Sequence, residues 1–267
     1  MGMNHFENKQ IIVTGAGSGI GLALVRLLYP STKQILAVDI SGQNLEELKD
    51  ELPEIEGFLI TDLSEKTGNI LILEWIKANW IGVDFCFANA GKAEYNATEN
   101  QNWHEMDSLF QLNVFSPIQL GLELKTCFPN ITFRHIITCS AIAFWAVPGY
   151  SVYGASKAAL LQWARTIWAE KSGSWLSLVF PIATSTTFFD SAGSEIPKAF
   201  PMQSPKIVAQ KILSGVQKGK NMIFPSPLFK ILLHLNNFLY FIRPIYQTIE
   251  SKKFRSWQAK QSNNGSV

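Results

Sequence analysis

The residues with the most pointed chemistry in this chain are a tyrosine and a lysine four positions apart, in Tyr153-Gly154-Ala155-Ser156-Lys157. On a helix, positions i and i+4 share a face. A phenol titrates near 10 in water and exchanges protons poorly at neutral pH. An ammonium beside it favours the phenolate and draws its pKa toward the working range, as general acid–base chemistry requires. Ser140 lies 13 residues upstream at the end of an apolar run, where its hydroxyl would hydrogen-bond a substrate carbonyl. Asn113 falls inside the helical stretch 106–124, where a buried amide would hold a water behind the lysine.

A second group of residues has the spacing for a dinucleotide. Thr14-Gly15-Ala16-Gly17-Ser18-Gly19-Ile20-Gly21 follows an apolar run and leads straight into a helical pattern. Glycines let the backbone turn sharply and approach a pyrophosphate, whose charge then meets the amides at the helix start. Gly15, Ser18, Gly19, Ile20 and Gly21 are therefore candidate cofactor residues, although a plain strand–helix turn would look similar. Asp39, 18 residues beyond Gly21, decides the context. A carboxylate there accepts hydrogen bonds from adenosine ribose hydroxyls and repels a 2′-phosphate, so NAD is expected, with NADP the weaker alternative. Asp62-Leu63 and Ala88-Asn89-Ala90-Gly91 end two further apolar runs, adding Asp62, Leu63, Asn89, Ala90 and Gly91 to the cofactor set. Plainer roles compete: a helix cap for Asp62 and a tight turn for Gly91.

These residues need a frame that brings strand ends together. Apolar runs at 11–14, 35–38, 57–61, 83–88, 135–139 and 176–180 alternate with helical spacing at 20–28, 70–76 and 155–168. Strands that are apolar throughout, rather than alternating, suit a parallel sheet covered on both faces. Alternation with helices then predicts right-handed βαβ units in a doubly wound α/β sheet. A single domain is expected over 1–225, followed by a helical tail over 226–267 with a disordered end.

Taken in order, Thr14-Gly15-xxx-Gly19-x-Gly21, Asp39, Asp62, Asn89-Ala90-Gly91, Asn113, Ser140 and Tyr153-xxx-Lys157 resemble the short-chain dehydrogenase/reductase family over roughly residues 8–225. The resemblance implies a Rossmann-type sheet of about seven parallel strands, a nicotinamide cofactor, carbonyl–alcohol hydride transfer and a homodimer or homotetramer. It implies Tyr153 as proton donor or acceptor, with Lys157 tuning it and binding the nicotinamide ribose. Ser140 would orient the substrate oxygen, Asn113 complete a proton relay, and Pro181 and Thr184 contact the nicotinamide. Two departures stand out. The usual Asn-Asn-Ala-Gly begins here with Ala88, and the usual Pro-Gly is Pro181-Ile182. A β-branched residue takes glycine's conformations poorly, which predicts a rerouted loop and puts contacts by Thr184 and Thr186 in question.

Substrate selection is expected from the segments after Ser140 and Pro181. The first offers Ile142, Phe144, Trp145 and Tyr150; the second offers Phe188 and Phe189, with Ser191 and Gly193 permitting a moving lid. Lys198 is the only nearby cation in sequence, so an apolar alcohol or ketone, lipid-like or aromatic, is the expected substrate. The tail opens at Ser226-Pro227, a helix start, and Arg243-Pro244 is expected to interrupt it. Its apolar stretch 231–242 is too short to span a bilayer. Residues 228–267 carry six basic groups against one acid, net +5, while 1–227 is net −3. Two readings follow: the tail packs over the cleft or a dimer contact, or residues 228–255 lie on an anionic membrane surface.

Composition bounds the rest. With 267 residues, 47% hydrophobic and 16% charged, the chain builds a full core. A net charge of +2 argues against a general grip on nucleic acid. Cys86, Cys127 and Cys139 match no metal spacing, so no metal is expected. With no apolar stretch in the first ten residues, a cytoplasmic setting, if anything peripheral to a membrane, is the expectation. The leading function is an NAD-dependent oxidoreductase. A non-catalytic NAD(H) sensor would predict a damaged catalytic set, which is not seen. A sugar-nucleotide epimerase would need a larger carboxyl-terminal domain than the residues after Pro181 provide.

Overall fold

Strands buried on both faces dictate the architecture. The computed structural model describes residues 3–129, 132–185, 196–197 and 201–264. Seven parallel strands form one sheet: β1 (Ile11–Thr14), β2 (Ile35–Asp39), β3 (Gly57–Ile60), β4 (Phe85–Ala88), β5 (Arg134–Thr138), β6 (Leu176–Val179) and β7 (Met222–Ile223). Their order is β3-β2-β1-β4-β5-β6-β7. Every residue of β1, β4 and β6 is buried, as a sheet covered on both faces requires. Chain direction across the sheet reverses between β1 and β4, so the crevice beyond their carboxyl ends is the place where such sheets bind ligands.

One face is covered by α1 (Gly19–Leu28), α2 (Gly42–Glu51) and α7 (Pro205–Gln217), which bury Leu24, Leu28, Leu45, Leu48, Val208 and Ile212. The other carries α3 (Lys66–Asn79), α5 (Ser116–Cys127) and α6 (Ser151–Ala169), which bury Ile72, Ile76, Leu120, Leu124, Leu160 and Leu161. The expected helix over 106–124 is not uniform. α4 (Trp103–Phe110) runs into a π-helical turn, Gln111–Phe115, before α5 begins. Such turns concentrate at functional sites, and Asn113 sits in the middle of this one.

The tail forms α8 (Pro227–Leu235) and α9 (Ile242–Asn264). Pro244 does not break α9; it lies in the first turn, where its missing N–H leaves no bond unmade. The inner side of α9 lies on the body: Trp257 and Phe254 meet the Tyr95 ring at 4.8 and 6.0 Å, and Tyr246 meets Trp145 at 5.5 Å. Gln258 donates to Glu99 at 2.9 Å. The packing reading of the tail therefore holds for this face. α9 stays helical to Asn264, past the start of the expected disordered end at Gln261; residues 265–267 lie outside the described residues.

Candidate active site

Three strand tops are knitted together before any side chain does chemistry. Thr14, ending β1, accepts the amides of Asn89 and Ala90 on Oγ1, both at 3.0 Å. Thr138, ending β5, donates to Asn89 Oδ1 at 3.1 Å, and its carbonyl accepts from Lys157 Nζ at 3.0 Å. The Cys139 thiol donates to the Lys157 carbonyl at 3.2 Å, tying the strand end to α6. The lysine is thus positioned by β5 as much as by its own helix.

Lys157 is 3% exposed and Tyr153 6%. The Lys157 ammonium lies 5.8 Å from the centre of the Tyr153 ring. Burial pulls the Lys157 pKa down to about 8, with the Cys139 thiol opposing it. Burial also pushes the Tyr153 phenol up, and a hydrogen bond with the Ser140 hydroxyl works against that. Desolvation dominates at the phenol, and the Lys157 ammonium is directed at the Thr138 carbonyl.

Asn113 is 1% exposed. Its Oδ1 accepts from the Lys92 amide at 3.0 Å, while Nδ2 donates to the Lys92 carbonyl at 2.8 Å and to Ser156 Oγ at 3.3 Å. Its amide clamps the segment after β4 to α6; the expected water-holding role would fall to whatever that clamp leaves free.

A cleft of about 130 Å³ runs over the strand tops, lined by Gly15, Ser18, Gly19 and Ile20 at one end and Ser140, Tyr153 and Lys157 at the other. Asn89, Ala90, Gly91, Pro181 and Thr184 complete its walls. Gly15 and Gly19 take φ of 64° and 53°, which glycine adopts without strain. Gly21 does not line the cleft: a Cβ there would sit 1.9 Å from the Gly15 carbonyl oxygen, so its role is the tight meeting of loop and helix. Ser18, at the N-cap of α1, makes no side-chain capping bond, leaving the first-turn amides to a ligand in the cleft. Asp39 accepts the Gly17 amide at 2.8 Å and the Ser41 amide at 2.9 Å, bracing the loop. Asp62 accepts from Ser64 N and Oγ at 2.8 and 2.7 Å, and Leu63 is buried; neither lines the cleft.

Ile182 does not take a positive φ: among the described residues the non-glycine ones that do are Asn8 and Lys171, and the loop from residue 186 to 195 lies outside the described residues. Thr184 is buried in the cleft wall and pairs with Gln203, while Thr186 lies outside the described residues.

A larger chamber, about 220 Å³, opens beyond Ser140 and Tyr153, which line both spaces together with Ile182 and Ala183. Ile142, Trp145 and Tyr150 line it as expected from sequence. Phe144, half-buried, does not line the chamber: its ring packs on Phe180 at 5.0 Å and against Phe224 and Phe229 beside it. Phe188 and Phe189 lie outside the described residues. Sequence reasoning missed Tyr95 and the α8–α9 contributions, Leu228, Phe229, Leu232, Tyr246 and Glu250. Tyr246 and Glu250 are i, i+4 on α9, which shows a shared face but not where that face lands.

The model of a family described as short chain dehydrogenase matches residues 9–195. The chain belongs to the short-chain dehydrogenase family. Among curated relatives of this dehydrogenase, a protein named fatty acyl-CoA reductase from Acinetobacter baylyi is 28% identical over 250 residues, covering 88% of this chain and 84% of that protein. A fatty acyl-CoA reductase from Mycobacterium tuberculosis is 28% identical over 193 residues, 66% of this chain and 64% of that one. In fold, the dehydrogenase is similar to a short chain dehydrogenase/reductase from Burkholderia phymatum in complex with NAD, with a TM-score of 0.75 at 18% identity over 89% of this chain and 97% of that chain. A short-chain dehydrogenase from Sphingobium yanoikuyae in complex with NADPH gives 0.72 at 20% identity, over 86% and 94%.

Proposed function

We propose that this protein is an NAD-dependent oxidoreductase interconverting an apolar, lipid-like or aromatic alcohol and its carbonyl form. The observation that carries the reading is that Ser140 and Tyr153 line both the cleft over the strand tops and the apolar chamber. A substrate oxygen held there meets the phenol and the serine hydroxyl at once.

Gly15, Ser18, Gly19 and Ile20 would hold the pyrophosphate. Asp39 would hold the adenosine ribose, with Asp62 and Leu63 toward the adenine; Asn89, Ala90 and Gly91 would floor the cleft, and Lys157, Pro181 and Thr184 would bound the nicotinamide. The bound nicotinamide supplies the hydride acceptor or donor. In oxidation the Tyr153 phenolate takes the alcohol proton, and Ser140 donates a hydrogen bond to the substrate oxygen. In reduction Tyr153 returns the proton as the oxygen gains charge, and both groups stabilise that charge more than they stabilise the ground state. Burial excludes water from the transfer. Burial raises the Tyr153 pKa and the Ser140 hydrogen bond works against it, so that bond supports the phenolate.

The apolar substrate is supported by a chamber walled by Trp145, Tyr150, Phe229, Leu232 and Tyr246, and by relatives named fatty acyl-CoA reductases. A homodimer or homotetramer is supported by the exposed Trp103, Phe115 and Leu122 along α4–α5. No described helix is long and apolar enough to cross a membrane.

The test pairs NAD(H) binding, read by nicotinamide fluorescence, with turnover of a panel of apolar alcohols and ketones. Tyr153→Phe should lower turnover by roughly 10²–10⁴ while sparing NAD(H) binding. A variant working at a near-normal rate would sink the assignment.

A further inference from the structure

Nine of the nineteen large apolar residues exposed among the described residues fall in the short span 228–249. They gather where α8 turns into α9: Phe238 and Tyr240 are each 80% exposed, and Phe241 is 58%. Ile245 and Ile249 extend this surface along α9, and Ile231 extends it along α8. Further along α9 its character changes: Lys252, Arg255 and Lys260 are exposed and lack an ion-pair partner among the described residues. Seven residues separate Ile245 from Lys252, about 10 Å along a helix. An apolar surface that gives way to basic residues within two helical turns is the pattern of a segment at a bilayer interface.

We infer that the α8–α9 tip docks on an anionic lipid bilayer, with α8 standing between the bilayer and the apolar chamber. Sign of charge selects the occupant. A second copy meeting this patch about a twofold axis would set a segment of net +5 against itself, a repulsive pairing. An anionic lipid surface attracts the same cations, by about fivefold in affinity for each. α8 serves both sides, since Leu232 and Phe229 wall the chamber while Ile231 faces out at 56% exposed. A lipid-dissolved substrate would then reach Tyr153 without crossing water. That route rests on the apolar-substrate reading; docking does not.

The experiment is co-sedimentation of the full chain with phosphatidylcholine vesicles, and with vesicles that also contain phosphatidylserine. Vesicle binding is read without turnover, so a failed turnover screen overturns the substrate reading alone. The protein should sediment with the anionic vesicles and release them as salt is raised. Phe238→Glu with Phe241→Glu, and separately Ile231→Glu, should abolish sedimentation while leaving NAD(H) binding and thermal stability unchanged. Lys252→Ala and Arg255→Ala should each weaken it about fivefold. Wild-type protein that stays in solution at low salt, or acidic variants that sediment as wild type does, would overturn docking. So would a shift from dimer to monomer in the acidic variants, which would assign the patch to a second copy.

Discussion

Asp39 works twice over at the scale of single residues. Its two oxygens already receive the Gly17 and Ser41 amides, so it braces the loop it is expected to help read. A carboxylate keeps lone pairs for ribose hydroxyls after accepting one amide on each oxygen. Asp39→Ala should therefore narrow any preference for NAD over NADP and also loosen the loop. Parallel binding titrations with both cofactors check this, and an unchanged ratio would refute the ribose role. Glu250 is the one acid in the chamber lining among the described residues, and it sits beside Lys253 at 2.8 Å. Glu250→Gln should raise kcat/KM several-fold for substrates bearing a carboxylate and leave neutral ones unaffected.

At the scale of elements, the roof over the chamber is the point of interest. Trp145 comes from the loop after β5, and Tyr246 from α9 closes on it from the far end of the chain. Aromatic pairs of this kind contribute roughly 0.5–1.5 kcal/mol beyond area burial. Tyr246→Ala should raise KM for large apolar substrates up to about tenfold, with little change in kcat, as steady-state kinetics would read. The packing of α5 on the sheet is equally specific. A Cβ on Gly121 would come within 2.6 Å of the His135 ring, which is pinned through Nε2 to the Pro117 carbonyl at 2.7 Å. Overpacking of this kind costs roughly 1–3 kcal/mol, more than the ~1 kcal/mol that alanine gains over glycine in a helix. Gly121→Ala should lower Tm by several degrees in a thermal melt.

At the scale of the whole molecule, His135 couples stability to pH. It is fully buried on β5, and burial lowers its pKa to about 4, against the upward pull of its bond to Pro117. Between about 4 and the ordinary 6.5 the unfolded chain binds a proton that the folded chain refuses. Stability from this group is complete above 6.5 and falls as pH drops toward 4. His135→Gln should flatten that acid limb in urea titrations at stepped pH. The charge division matters at this scale too, because a net −3 body carrying a net +5 tail gives the molecule a fixed electrostatic direction.

Much of this was legible in the sequence because it is local. Periodicity marked six of the seven strands, since fully buried parallel strands are apolar without interruption. β7, only Met222–Ile223, is too short to show a pattern. The glycine loop and the Tyr153–Lys157 pair could be read because turn geometry and an i, i+4 relation reside in neighbouring residues. Ile182 keeps out of the positive-φ region, as a β-branched residue should. Tertiary structure alone decided what lies opposite what. It turned Phe144 toward Phe180 and away from the chamber, brought Tyr246 and Glu250 to the chamber from a hundred residues away, and aimed Lys157 at Thr138. Those outcomes depend on the crossing of helices over a sheet and on desolvation at depth, and neither is encoded in the spacing of residues along a chain.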